Sequence, residues 1–277
     1  MVCSPDPELR AAAALVFVED LDSPELGADD AHHLGEVLRL KAGEVVVASD
    51  GTGSWRACTF AAPGAMSRGR ASARLKAAGR FGLEPVGVSR RAERPLLEVE
   101  VGFSWAKAER TEWAVAKLVE LGVDVLTPLV ADRTVVRPER EAACRREERL
   151  RRIVREAAMQ SRRPRLARIG PTQSVDDVMG RSPSPRLALA EPGGGDLSLA
   201  TPVVLVGPEG GWSPRELGLV EDKVSLGDGV LRVETAALVA GTLLTALRGT
   251  ASAAPAQGPG ALPGRASLQD AALRSNT

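Results

Sequence analysis

VVLVGPEGGWSPREL, residues Val203–Leu217, is the stretch that decides the fold of the carboxyl-terminal half of the sequence. Its four leading apolar residues predict a strand that is covered on both faces. The glycines in Gly207–Gly211 predict a tight turn, because glycine adopts backbone conformations that other residues avoid and lets another molecule approach the main chain. Ser213–Glu216 then predicts a helix start, with serine as N-cap, proline first and glutamate third. The stretch therefore predicts a strand, a glycine-rich turn and a helix in succession.

The glycine-rich turn follows the carboxyl end of its strand, where open α/β sheets usually bind ligands. It has neither the GK[ST] sequence of a phosphate-binding loop nor the GxGxxG sequence of a dinucleotide site. Glu209 would also repel a phosphate if its side chain pointed inward. The turn therefore favours an uncharged or cationic nucleoside-type ligand, and a purely structural strand–helix turn is the alternative.

A second loop, in LGDGVLRVETAAL (residues Leu226–Leu238), repeats this layout. A short strand leads into Gly227–Gly229, and a helix follows. Glu234 comes at the amino end of that helix, where the helix dipole stabilises a carboxylate. Helix capping is therefore the structural alternative to a functional role for Glu234.

The segments around these loops alternate between strands and helices. Apolar residues at helical spacing, with Gly122 and Gly249 as end signals, predict helices over Glu109–Leu121, Glu139–Gln160 and Ala236–Leu247. Short apolar runs predict strands over Leu97–Val101, Val125–Val130, Leu187–Ala190, Val203–Val206 and Val224–Leu226. Pro128 predicts that its strand lies at a sheet edge or that the proline lies near the strand end. The alternation predicts an α/β domain with a largely parallel sheet.

The amino-terminal region has a different pattern, with several short strands and one helix. Strands are predicted over Leu15–Val18, Glu44–Ala48, Trp55–Phe60 and Ala71–Leu75, and a helix over Asp29–Leu40. This pattern predicts a small β-barrel-like domain. The predicted organisation is a first domain over residues 1–80, a linker over 81–95, an α/β domain over 96–249 and a disordered tail over 250–277.

The composition excludes several classes of protein. The 277-residue chain has no apolar run of the roughly 20 residues that a membrane span needs. Its first residues lack the basic flank and apolar core of a secretory signal. Three separated cysteines and two adjacent histidines argue against a metal site and for a reducing compartment. We therefore expect a cytoplasmic protein with no membrane and no metal partner.

The net charge is zero, but the arginines are unevenly distributed. Residues 131–168 contain thirteen arginines against six acidic residues. A planar guanidinium suits phosphates and base edges, so this local excess favours a nucleic-acid partner. The preference for arginine over lysine has a compositional alternative, since an Arg-, Ala- and Gly-rich proteome would also produce it.

Together the two loops carry a specific resemblance to a known family. GPEGG followed by an LG…VLR-x-ET segment resembles the SPOUT superfamily and, within it, the 16S ribosomal RNA uridine-N3 methyltransferase family (RsmE). Lys107–Gly122, Pro128–Val136 and Arg155–Arg163 resemble the middle motifs of that family, and His33–Arg39 with Asp50–Gly51 resembles its PUA-like domain. These similarities follow one another in consistent order from Val16 to Leu247.

This resemblance implies a fold and an activity. The implied fold is a SPOUT α/β-knot methyltransferase domain, which ends in a deep trefoil knot, preceded by a small PUA-like β-barrel domain. The implied activity is transfer of a methyl group from S-adenosyl-L-methionine (SAM) to N3 of a specific uridine in the 16S rRNA of the small ribosomal subunit, by a homodimer. The alternatives are a SPOUT enzyme that methylates a ribose 2′-hydroxyl and a non-catalytic RNA-binding relative.

The resemblance and the loop chemistry assign roles to individual residues. Arg232 is predicted to stabilise the negative charge that develops on uracil O2 and O4, and Glu234 is predicted to belong to the same catalytic group. The predicted cofactor-binding residues are Leu205, Val206, Gly207, Glu209, Gly210, Gly211, Leu226, Gly227, Val230, Leu231 and Thr235. The predicted RNA contacts are His33, Arg39, Lys107, Arg133, Arg137, Arg162 and Arg163. Trp105 and Trp113 are predicted to lie in the core.

Overall fold

The computed structural model describes residues 6–62, 81–135, 137 and 139–253. These residues form two β-sheets, one in each half of the chain. The strands of the first sheet are β1 (Ala14–Phe17), β2 (Val45–Ser49), β3 (Ser54–Ala61), β4 (Gly82–Pro85) and β5 (Arg90–Arg91). Strands β1 and β2 are parallel, whereas β2 with β3, and β3 with both β4 and β5, are antiparallel.

The predicted linker over residues 81–95 is wrong, because this segment supplies β4 and β5 of the first sheet. Leu83 is buried, and the ring of Phe81 stacks on the ring of Phe60 with 5.5 Å between their centroids. The segment is rich in glycine, proline and arginine, and this composition hides the two apolar residues, Phe81 and Leu83, that pack on the first sheet. The predicted strand Ala71–Leu75 lies outside the described residues.

Two short helices belong to the first domain, α1 (Pro7–Ala11) and α2 (Ala28–His32). Helix α2 continues into a π-helical turn over His33–Val37, so most of the helix predicted over Asp29–Leu40 is present with a wider last turn. Leu34 in that turn is buried and packs into the core of the first sheet.

The second sheet has six strands in the described residues, and all of their pairings are parallel. The strands are β6 (Glu100–Ser104), β7 (Val125–Leu129), β8 (Arg168–Ile169), β9 (Leu187–Gly195), β10 (Val203–Val206) and β11 (Lys223–Val224), in the order β11-β9-β10-β6-β7-β8. Every residue of β6 and β10 is buried, as expected for strands covered on both faces. Pro128 lies beyond the two residues of β7 that pair with β8, as the predicted strand end requires.

The helices of the second domain in the described residues are α3 (Ala108–Leu121), α4 (Arg140–Gln160), α5 (Val175–Met179), α6 (Pro214–Leu219) and α7 (Val233–Ala253). On one face of the sheet, α3, α4 and α7 contribute Leu118, Leu150 and Leu244 to a single apolar core. Side chains of α5 and α6 pack into a second, smaller core. The predicted α/β domain is therefore confirmed. None of the helices described is both long and apolar enough to cross a membrane.

Gly122 and Gly249 were each predicted to end a helix, and only the first of these predictions is confirmed. Helix α3 ends as predicted at Gly122, which adopts a left-handed conformation with φ 100°. The end predicted at Gly249 is wrong, because α7 continues to Ala253. A glycine inside a helix lowers helix stability by only about 1 kcal/mol relative to alanine, so the interactions of neighbouring residues can outweigh this loss.

A buried ion cluster around Asp124 is one such interaction. The carboxylate of Asp124 accepts a hydrogen bond from the backbone N–H of Val99 at 3.0 Å and pairs with the guanidinium of Arg248 from α7. Arg248 also donates to the carbonyl of Gly122 at 2.9 Å. The guanidinium of Arg163 is 3.9 Å from the same carboxylate. Asp124 thus holds the last turns of α7 against the start of β7.

The first domain is docked against α4 and the segment that follows it. Arg155 donates to the carbonyl of Phe17 at 2.9 Å and to the carboxylate of Asp30 at 2.8 Å. The hydroxyl of Ser49 donates to the carbonyl of Pro164 at 2.7 Å. These contacts give the two sheets a defined relative position.

Candidate functional site

A cavity of about 270 Å³ lies at the carboxyl ends of β9 and β10, where parallel sheets usually bind ligands. Three segments form its wall. They are residues 190–192 of β9, where its pairing with β10 ends, the turn after β10, and the segment that leads into α7. The lining residues are Ala190, Glu191, Pro192, Val206, Gly207, Pro208, Glu209, Gly211, Trp212, Leu226, Gly227, Gly229, Val230, Leu231, Arg232, Val233 and Ala236. The wall is therefore mainly apolar side chains and glycine backbone.

The turn after β10 is fixed by the start of α6, as the sequence predicts. The hydroxyl of Ser213 accepts a hydrogen bond from the N–H of Glu216 at 3.1 Å, and the Glu216 carboxylate accepts one from the N–H of Ser213 at 2.9 Å. Pro214 occupies the first helical position. The carboxylate of Glu216 is buried and also accepts a hydrogen bond from the N–H of Asp132 at 2.9 Å. Because both ends of this capping box are satisfied, the turn has a defined shape.

The loop after β7 also contacts the start of α6, through Asp132. Arg215 donates to the carboxylate of Asp132 at 3.0 Å and to that of Asp176 at 2.8 Å. The hydrogen bonds from Arg215 and Ser213 lower the pKa of Asp132 to about 2. Asp132 is therefore ionised at neutral pH and keeps its pairing with Arg215.

Trp212 joins two walls of the cavity, and sequence reasoning missed it. Its indole N–H donates to the carbonyl of Ala190 at 3.0 Å, which ties the turn after β10 to the end of β9. A Cβ atom added to Gly207 would lie 2.9 Å from the indole ring. The signal in the sequence was an aromatic residue directly after a pair of glycines. Gly207 is thus required because the indole occupies the space of a side chain.

A bulge in β9 supplies the third wall. Lys223 and Val224 are consecutive in β11, yet they pair with Leu189 and Gly195 of β9, so residues 190–194 loop out between them. The bulge brings Glu191 to the cavity. A Cβ atom on Gly194 would lie 2.6 Å from the backbone nitrogen of Val224, so only glycine fits there. This EPGGG segment resembles a plain loop in the sequence, and its role was not predicted.

The predicted cofactor-binding residues divide into two groups. The cavity is lined by Val206, Gly207, Glu209, Gly211, Leu226, Gly227, Val230 and Leu231. Three others are not among the lining residues. Leu205 is buried in the second core, Thr235 is exposed, and Gly210 faces Arg133, which donates to its carbonyl at 3.1 Å. Alternation along β10 turns Leu205 to the opposite face of the sheet from Val206.

Arg232 lines the cavity, as predicted for a residue that stabilises developing charge. Arg232 is an exposed residue. Within the part of the chain that the structure describes, its guanidinium has no carboxylate partner. Arg232 is therefore available to a ligand.

Glu234 lies two residues after Arg232, in the first turn of α7, but is not among the residues that line the cavity, which corrects its predicted place in the catalytic group. The residue is only 9% exposed, and one carboxylate oxygen is 3.7 Å from Nε of Arg110. Its other oxygen is buried without a partner among the described residues. Helix geometry explains its direction: Val233 and Ala236, three residues apart, line the cavity, and Glu234 points about 100° away from Val233.

The predicted RNA contacts differ in accessibility. His33, Arg39 and Lys107 are exposed. Arg133 is also exposed, although it contacts Gly210, and Arg137 donates from its Nε to the carbonyl of Thr134 at 3.1 Å. These five side chains stay predicted RNA contacts.

Arg162 and Arg163 belong instead to the protein interior and the domain junction. Arg163 donates to the carbonyl of Val119 at 2.6 Å, and burial lowers the pKa of its guanidinium. Arg162 donates to the carbonyl of Ala13 at 2.7 Å, and burial lowers the pKa of its guanidinium as well. Their predicted role in RNA binding is corrected, because both guanidinium groups are used to bind backbone carbonyls.

The two tryptophans predicted for the core also differ. Trp105 is buried, with the guanidinium of Arg146 5.6 Å from its ring centroid, so its prediction is confirmed. Trp113 is 51% exposed on α3, so its prediction is wrong. The apolar stripe of α3 consists of residues such as Ala114, Val115 and Leu118, and Trp113 lies beside it.

The sequence matches the RNA methyltransferase domain family over residues 92–245 and the RNA methyltransferase PUA domain family over residues 26–65. Ribosomal RNA small subunit methyltransferase E of Mycobacterium bovis is 31% identical over 250 residues, covering 82% of this chain and 89% of that protein. The protein of the same name from Synechocystis sp. is 33% identical over 233 residues, covering 78% of this chain and 70% of its own length.

Solved structures have the same fold. A probable rRNA-methyltransferase from Porphyromonas gingivalis matches with a TM-score of 0.68 and 26% identity, covering 86% of this chain and 99% of that one. A ribosomal RNA small subunit methyltransferase E from Neisseria gonorrhoeae, bound to S-adenosyl methionine, matches with a TM-score of 0.69 and 24% identity, covering 84% and 97%. The predicted order, a PUA-like domain before an α/β RNA methyltransferase domain, is confirmed. The chain therefore belongs to the RNA methyltransferase family that includes ribosomal RNA small subunit methyltransferase E.

Proposed function

We propose that this protein uses SAM to methylate N3 of a uridine in the 16S rRNA of the small ribosomal subunit. The observation that carries the proposal is the glycine-walled cavity at the carboxyl ends of β9 and β10, with Arg232 unpaired among the described residues at its rim. The relatives' name, which specifies small-subunit ribosomal RNA, supports the choice of substrate. The resemblance of the two loops to the uridine-N3 methyltransferase family supports N3 of uracil as the methylated atom.

The residues present fit SAM on three counts. Gly207 and Gly227 line the cavity and, having no side chains, offer backbone groups for hydrogen bonds to a nucleoside. The apolar side chains among them suit an adenine ring. Two carboxylates, Glu191 and Glu209, suit the positive charges of the sulfonium and amino groups. No phosphate-binding cation is needed, and the turn has none of the sequence features of a phosphate loop.

The chain positions the reactants and stabilises charge. SAM, when bound, supplies the electrophilic methyl group. As the uracil N3 loses its proton, negative charge develops on O2 and O4, and Arg232 is placed to stabilise it. The hydrogen bond from Trp212 to Ala190 joins two walls of the cavity and helps to keep its shape. Both histidines, His32 and His33, are in the first domain, so the proton acceptor is not an imidazole of the methyltransferase domain.

The same resemblance supports further parts of the proposal. We infer a homodimer in the cytoplasm, a trefoil knot in the second domain and RNA contacts through the PUA-like domain. The described residues contain no cluster of histidine, cysteine and acidic side chains suited to a metal ion, and the proposed reaction uses none.

Transfer of tritium from methyl-labelled SAM to small-subunit RNA that lacks the modification tests this function. The expected result is label in 3-methyluridine after complete digestion of the RNA to nucleosides. Label on a ribose 2′-oxygen would support the ribose methyltransferase alternative and contradict the proposal. Binding of RNA without any transfer would support the non-catalytic alternative. RNA isolated from cells that already carry the modification is the matched control and should accept no label.

Replacing Gly207 with valine is expected to weaken SAM binding by about tenfold to about 100-fold, because overpacking of a filled site costs about 1–3 kcal/mol. The new side chain would meet the indole of Trp212, which its hydrogen bond to Ala190 holds in place. Isothermal titration calorimetry with SAM measures the effect. Gly218→Ala is the control, since a Cβ there contacts nothing within 4 Å. Affinity of Gly207→Val within about threefold of wild type would contradict the proposed cofactor site.

A further inference from the structure

The charged residues that line the cavity are Glu191, Glu209 and Arg232. Among the described residues, neither carboxylate has a hydrogen-bond or ion-pair partner. The wall therefore carries two negative charges against one positive charge. An excess of uncompensated negative charge in a ligand cavity favours a cationic ligand over a neutral one of the same shape.

The two carboxylates are not equivalent. Glu209 is exposed, so water and salt screen its charge, whereas Glu191 is half-buried and is screened less. The bulge also holds the backbone of Glu191 in place. The carbonyl of Ala190 accepts a hydrogen bond from the indole of Trp212 at 3.0 Å, and Gly194 lies against the backbone of Val224.

Methyl transfer changes the charge of the ligand inside this cavity. SAM has a sulfonium, an ammonium and a carboxylate, and so has one net positive charge. Loss of the methyl group converts the sulfonium to a neutral thioether, and S-adenosylhomocysteine has no net charge. The proposed reaction therefore removes the charge that a carboxylate in the wall would attract.

We propose that Glu191 makes the cavity prefer cationic SAM over neutral S-adenosylhomocysteine, and so promotes release of the spent cofactor. The inference rests on the proposed function, because it assumes that this cavity binds SAM. It assigns to the β9 bulge a role in discrimination between two ligands that share the same nucleoside. The partner of Glu191 in this role is the sulfonium charge, not the adenine or the ribose.

Calorimetric titration of three ligands into wild type and Glu191→Gln tests the proposal. The ligands are SAM, S-adenosylhomocysteine and sinefungin, in which an amine replaces the sulfonium and keeps the positive charge. In Glu191→Gln, the Kd of SAM and of sinefungin is expected to rise about threefold to tenfold, while the Kd of S-adenosylhomocysteine changes less than about twofold. The preference of wild type for the charged ligands over S-adenosylhomocysteine should become smaller at high salt.

Two matched variants separate charge from shape. Glu191→Asp keeps the charge and should keep most of the preference for SAM. Asp196→Asn removes a carboxylate that is exposed and does not line the cavity, and should leave all three affinities unchanged. Equal shifts for SAM and S-adenosylhomocysteine in Glu191→Gln, or no shift for either, would overturn this inference alone. If wild type bound neither ligand, the proposed function would fail and the inference with it.

Discussion

Replacing Arg232 with alanine is expected to lower kcat for methyl transfer by about 100-fold to 1000-fold without weakening SAM binding. The guanidinium lines the cavity and has no carboxylate partner among the described residues. It is therefore free to approach the uracil oxygens when charge develops on them. Removing it also removes the one positive charge among the described residues that line the cavity, so SAM affinity should stay constant or rise. Single-turnover transfer to unmodified small-subunit RNA, together with calorimetry for SAM, measures both quantities.

The companion variants decide what Arg232 contributes. Arg232→Lys keeps the charge but loses the planar fork, and should recover part of the activity. Arg186→Ala removes an exposed arginine that does not line the cavity, and should behave as wild type. A loss in Arg232→Ala that appears only in the KM for RNA would assign the residue to RNA binding. A kcat within about tenfold of wild type would contradict its role in the transition state.

Replacing Asp124 with alanine is expected to lower the free energy of unfolding by about 3–5 kcal/mol. The change leaves the guanidinium groups of Arg163 and Arg248 without their buried carboxylate, and the N–H of Val99 without its acceptor. For a chain of this size, the Tm should fall by about 10 °C. Differential scanning calorimetry of the isolated protein measures it.

Asp22→Ala is the matched control, because Asp22 also pairs with an arginine, Arg56, but its side chain is exposed at the surface. An exposed ion pair contributes little, so the Tm of this variant should change far less. If the two variants showed similar shifts in Tm, the Asp124 cluster would not be what holds α7 in place. Circular dichroism at low temperature checks that both variants are folded before they are heated.

Local signals explain the parts of the fold that the sequence predicts well. The capping box at Ser213 and the left-handed end of α3 at Gly122 depend on neighbouring residues only, and both are present as predicted. The apolar runs of β6 and β10 predict strands buried on both faces, because no polar face interrupts them. The first of the two cavity loops follows directly after β10.

The parts that sequence reasoning missed depend on contacts between distant segments. In the sequence, Arg163 cannot be distinguished from an arginine that binds RNA at the surface. Only its hydrogen bond to the carbonyl of Val119 shows that it is structural. Glu191 reaches the cavity only because β9 bulges against β11, a consequence of strand register. The strands in the predicted linker depend on their pairing with β3, which composition does not encode.

Within the part of the chain that the structure describes, the residues that line the cavity all lie between Ala190 and Ala236, in one continuous stretch. The predicted RNA contacts that remain exposed, such as Arg39 and Lys107, all lie outside it. Recombination that exchanges this stretch therefore transfers all of these lining residues together, but the transferred turn still needs the backbone N–H of Asp132 as a partner for Glu216. Over generations, the exposed predicted RNA contacts can diverge while the proposed cofactor cavity is inherited as a unit.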